Sequence, residues 1–104
     1  MAITGSEKQE EKIVFLKTIA EEMFPDLPAD TFDKAIRSGI ETALKEHHYK
    51  EWSDVAREQP LARKTFFETA LNASKNQLQQ TGLSKNQIDN LVRKLDKKNR
   101  RYLG

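Results

Sequence analysis

The residues predict an all-α fold: a small bundle of four to five helices forming one domain over positions 1–104. Three observations carry that expectation. Apolar residues recur at three- and four-residue steps along most of the chain. No stretch alternates apolar and polar residues over strand length, and β-branched residues are sparse. Prolines and good helix-capping residues fall between the periodic stretches and punctuate them.

The first helix is expected from about Ser6 to Phe24. Ile13, Leu16, Ile19/Ala20 and Met23 share one face, Phe15 and Phe24 widen it, and Glu7, Glu10, Glu11, Glu21 and Glu22 fill the other. Pro25 ends this helix by pushing its predecessor out of the α region. After the linker 25–29 a second helix should start at Asp30 or Thr31, both good N-cap residues, with Asp33 favourably placed in the first turn. Its apolar stripe is Phe32, Ile36, Ile40 and Ala43/Leu44, extending toward His47, and it should finish in the stretch 47–50. Gly39 lies inside this stripe at a cost of up to about 1 kcal/mol relative to alanine, which suits close approach of another helix.

Residues 51–58 read as a short helix or turn capped by Ser53, with Trp52 and Val55 plugging the core. Pro60 suits the first turn of a further helix, where its missing N–H costs nothing. Leu61, Phe67, Ala70/Leu71 and Ser74 then continue with helical spacing, and that helix stops either near Asn72 or near Gln80. Phe67 fits the core stripe, whereas Phe66 is expected to be partly exposed and to mark a partner surface or stack a base.

Composition bounds the function. Cysteine is absent, which excludes disulfides, thiolate zinc sites and cysteine nucleophiles. The longest apolar run is Ile13–Leu16, so no transmembrane segment is expected, and the first residues lack the order of a signal peptide. A cytoplasmic location is the expectation. Net charge is +2 but divided unevenly: residues 1–52 carry −4 and residues 53–104 carry +6. Such asymmetry points to an anionic partner for the second half, or to attraction between the halves of one fold.

The carboxy-terminal third concentrates that charge. Ser74-Lys-Asn-Gln77-Leu78 recurs ten residues later as Ser84-Lys-Asn-Gln87-Ile88, and both copies fit a capping box. With Gly82 between them as a left-handed turn residue, they imply a short helix, a tight turn and a basic helix over about 84–102, fraying at its end. Gly82, Leu83, Ser84, Ile88 and Leu91 match the order and spacing of a helix-turn-helix, which this stretch therefore resembles over about twenty residues. Leu78 departs from that pattern, since the motif usually carries alanine four residues before the glycine.

The resemblance implies a recognition helix. Lys85, Asn86, Gln87, Asp89, Asn90, Arg93 and Lys94 lie off the Ile88-Leu91-Leu95 core stripe, and those near the helix start would reach base edges, because amides pair with adenine and Arg/Lys with guanine. Lys97, Lys98, Arg100 and Arg101 would neutralise phosphates, while Asp89 opposes their approach. The expected function is non-enzymatic nucleic-acid binding, DNA before RNA, of a regulatory kind. The alternative is a helical interaction module of regulatory, inhibitory or immunity type, docking on an acidic protein partner or a membrane surface. Oligomeric state is not readable from these residues.

No catalytic residue, metal ligand or cofactor is expected. His47 and His48 point about 100° apart on a helix and do not share one ion easily. Asp26, Asp30 and Asp33 lack the calcium-loop order and its glycine. Nucleophile elbows and phosphate-binding glycine loops are missing.

Overall fold

In a computed structural model, backbone is described for residues 5–28 and 30–103, with side chains from residue 8 to 99 apart from 29. The described chain forms five α-helices and a single 3₁₀ turn: α1 Gly5–Met23, α2 Thr31–Glu46, α3 Trp52–Ala56, α4 Pro60–Leu78, the turn Gln79–Thr81, and α5 Lys85–Leu103. No strand occurs among the described residues, and the all-α bundle is as the periodicity predicts.

α2 and α4 make the most extensive helix contact. They approach closely because Gly39 offers no Cβ where the Ala70 carbonyl and the Ser74 hydroxyl lie; a Cβ built there would overlap both. α1 packs against α2, α3 and α5 and buries Ile13, Leu16 and Ala20. Above the α2–α4 seam an aromatic cluster closes the core, with Phe66 and Phe67 packed edge-on to Trp52 at centroid distances of 6.1 and 5.3 Å. Edge-to-face pairs of this kind add stabilisation beyond the area they bury. On the outside, Arg37 of α2 grips Glu10 of α1 with both terminal nitrogens, at 2.5 and 2.6 Å, and donates from Nε to Asp33 at 2.5 Å. The Arg37 hydrogen bond holds the Glu10 carboxyl below its ordinary range.

Several local expectations change. α2 begins where expected, but Asp30 makes no cap hydrogen bond and pairs instead with Lys34 at 3.1 Å. α2 ends at Glu46, and His48 turns the chain at φ +61°. α3 is capped by Glu51 rather than Ser53: Glu51 and Asp54 form the reciprocal box, and the Ser53 hydroxyl donates to Glu51 at 2.6 Å. Leu61 is 73% exposed rather than part of the core, because it sits in the first turn of α4, beyond the edge of the bundle. Phe66, expected to be partly exposed, is fully buried. The α2–α3 connection brings His47, Tyr49 and Trp52 over it, at ring centroids 5.9, 6.0 and 6.1 Å away.

The ambiguity at residues 74–82 resolves in favour of one long helix. Ser74 lies inside α4, one turn before its end, and donates its hydroxyl to the Ala70 carbonyl at 2.9 Å. Its neighbours continue the i→i−4 ladder, so the first capping box of the sequence repeat does not form.

Candidate nucleic-acid interface

The second copy of the repeat does form its box. The Ser84 backbone N–H donates to Gln87 Oε1 at 2.8 Å, and the Gln87 N–H donates to Ser84 Oγ at 3.1 Å. Gly82 precedes it in the left-handed region at φ +90°, which costs glycine nothing. Turn and cap together start α5 at Lys85. Seven Lys/Arg stand against two aspartates along α5, and those in its last turns complement the helix dipole.

A rotation of about 100° per residue sorts α5 into three faces. Ile88, Leu91, Val92, Leu95 and Asn99 form the buried face. Asn86, Asn90, Arg93, Lys94 and Lys97 fall on the opposite side, and all five are exposed. Asn90, Arg93, Lys94, Lys97 and the half-buried Lys98 line a shallow groove of about 330 Å³. Lys85, Arg93, Lys94, Lys97 and Lys98 make no ion pair among the described residues.

Asp89 and Asp96, seven residues apart, occupy the remaining edge, which faces α4. There Asp89 meets Lys75 at 3.4 Å, in a cleft also lined by Glu68, Asn72 and Arg93. Asp89 is thus turned toward α4 and partly compensated by Lys75. Gln87 is exposed but commits its carbonyl oxygen to the cap, leaving only its amide hydrogens to donate outward. The side chains of Arg100 and Arg101 lie outside the described residues.

The likeness to a helix-turn-helix is partial. The glycine turn, Ser84 cap, Ile88 and Leu91 stand as that pattern requires. The helix before the turn is 19 residues long rather than short, and Leu78 is buried where the motif usually carries alanine.

Two buried polar residues are absent from the expected sites. Lys12 and Asn99 are each only 2% exposed, and Lys12 Nζ donates to Asn99 Oδ1 at 2.7 Å, joining α1 to α5. Lys12 also lies over the Phe67 ring at 5.1 Å. Burial, and secondarily Arg63, lowers its pKa from an ordinary 10.5 to about 8. The signal was in the register: Lys12 precedes Leu16 and Ala20 by four and eight residues, and Asn99 follows Leu95 and Leu91 by the same steps.

No helix among the described residues is long and apolar enough to cross a membrane, and none of their His, Asp or Glu groups cluster as metal ligands. No family model matches the chain, and neither a curated protein nor a solved structure matches it.

Proposed function

We propose that this protein binds nucleic acid through the outward face of α5, with duplex DNA as the preferred form. One observation carries the reading: Asn86, Asn90, Arg93, Lys94 and Lys97 form an exposed stripe directly opposite the buried face, and its cations make no ion pair among the described residues. Amide and guanidinium groups near a helix start are the side chains that read base edges, while lysines along it neutralise phosphates. A single helix about 10–12 Å across fits the major groove of B-DNA, whereas the major groove of A-form RNA is too deep and narrow to admit it. The Ser84–Gln87 cap and Gly82 turn present the first turn of this helix as in a helix-turn-helix, which supports a regulatory role at a preferred sequence.

The test is a titration of mixed-sequence duplex DNA at low salt, repeated at rising salt. The logarithm of the association constant should fall linearly with log salt, at a slope between about −3 and −5 for the cations on this face. Absence of binding at low salt removes the proposal, and tighter binding to duplex RNA than to DNA removes the preference.

A further inference from the structure

Resolved residue by residue, the outward face of α5 singles out two amides. At about 100° per residue, Asn86, Asn90, Arg93 and Lys97 fall within about 60° of one another, in a row centred opposite the buried Ile88, Leu91 and Leu95. Lys94 stands to one side of that row, and Gln87 lies about a quarter-turn away from its centre.

The amides at the start of α5 differ in what they have left to offer. Gln87 turns its Oε1 back to the Ser84 N–H at 2.8 Å, so its oxygen and its NH2 cannot face an outside group together. Asn86 and Asn90 are exposed, and their side chains make no hydrogen bond among the described residues. Each keeps a carbonyl acceptor and an NH2 donor side by side. Asp89, between them in sequence, is drawn toward Lys75 of α4 at 3.4 Å.

Groove chemistry then selects the base. On its major-groove edge guanine shows two acceptors, cytosine a donor, and thymine an acceptor beside a methyl group. Adenine alone sets an acceptor, N7, next to a donor, the N6 amino group, and so satisfies both halves of a carboxamide. Against any other base one half of the amide leaves water without gaining a partner, which costs more than a made bond returns. Spacing adds a second constraint. Asn86 and Asn90 are four residues, hence about 6 Å, apart along the helix axis, whereas stacked base pairs are about 3.4 Å apart.

We infer, on the reading that α5 enters the major groove of duplex DNA, that Asn86 and Asn90 set its sequence preference. Together they select two adenines, on either strand, with a single base pair between them. Arg93 and Lys97 continue the row with charge, which any duplex rewards, so they set affinity and not choice.

The test is selection by the full-length protein from a pool of duplexes randomised over about ten base pairs, one helical turn. Selected duplexes should share adenine at two positions separated by one base pair. Replacing either adenine by 7-deazaadenine, which keeps the Watson–Crick pair and removes the N7 acceptor, should weaken binding about ten-fold. Asn86→Ala should abolish the preference at one of these positions and Asn90→Ala at the other. Each should bind the selected duplex about ten-fold more weakly, with little change on a scrambled duplex. Gln87→Glu keeps an acceptor for the Ser84 N–H and should weaken both duplexes alike, leaving both adenine positions in place. A melting curve confirms that each variant is folded. Salt-sensitive binding without an enriched adenine pair would overturn the assignment and leave DNA binding by α5 standing. So would an adenine preference that survives Asn86→Ala and Asn90→Ala together, or one lost in Gln87→Glu. Failure to bind any duplex at low salt would overturn both readings.

Discussion

The α2–α4 seam and α5 use helical sequence in opposite ways. Along the seam, backbone nearly touches backbone: Gly39 faces Ala70 and Ser74, and it has no room for even a Cβ. α5 instead buries one stripe of aliphatic side chains ending in Asn99, and the described residues of its far side are exposed. The first arrangement leaves no surface for function, and its composition is dictated by fit. The second tolerates any hydrophilic residue on its outer face, so a stripe of amides and cations there is free to be shaped by a partner. The difference separates the residues that build the fold from those that can act.

Substitutions sharpen that contrast. Gly39→Val should destabilise the protein by about 3 kcal/mol, read as a fall in the denaturation midpoint, because a branched side chain must displace the Ala70 backbone. Its effect on DNA affinity among folded molecules should be negligible. The double variant Lys94→Glu with Lys97→Glu should do the reverse. It should lower DNA affinity about fifty-fold or more at moderate salt while leaving stability within about 0.5 kcal/mol. A large loss of stability from that pair would break the contrast.

Lys12 joins the two regions and gives a pH test. Its folded-state pKa of about 8 lies below the ordinary 10.5, so between those values the unfolded chain holds a proton that the folded chain has shed. Stability should therefore rise with pH over this interval, by about 2 kcal/mol from pH 8 to 10. The described groups facing Lys12 include Lys8, Glu11 and Phe15 on its own helix, Trp52 of α3, Arg63 and Phe67 of α4, and Asn99 of α5. Burial raises the pKa of Tyr49, which opposes the trend above about pH 10. Denaturant melts across this range should show the rise in the wild type and a flat profile in Lys12→Met. The smallest effect belongs to Asp89→Asn. Its pair with Lys75 is about one-third exposed on each side, so stability should change by less than about 0.5 kcal/mol. DNA affinity should rise a few-fold by filter binding or anisotropy.

Much of the fold was legible in the residues, and the reasons are local. The start of α5 and the end of α1 follow from Ser84 with Gln87 and from Pro25, which act within a few residues of themselves, while α2 starts at Thr31 as expected without the side-chain cap that Asp30 offered. The outer stripe of α5 was legible for the same reason, since the apolar register of Ile88, Leu91 and Leu95 determines what lies opposite. Misreadings came where distant chain decides. Phe66 is buried only because the α2–α3 connection folds over it, and Leu61 is bare only because the bundle ends beneath it. Ser74 carries the same letters as Ser84, yet it lies on the seam with α2, and packing against Gly39 overrides its capping signal. Lys12 and Asn99 were passed over because each is charged or polar in type while standing in an apolar register.

The Lys12–Asn99 hydrogen bond spans 87 positions. During synthesis at about 5–20 residues per second, α1 therefore waits about 4 to 17 s for its partner to be made. A helical protein of this size otherwise folds in microseconds to milliseconds. Throughout that delay Lys12 stays hydrated and α1 presents Ile13 and Leu16 with part of their cover missing. α5, made after the other four described helices, thus completes the first of them, and a chain halted before Asn99 would leave an amphipathic α1 exposed to chaperones and proteases.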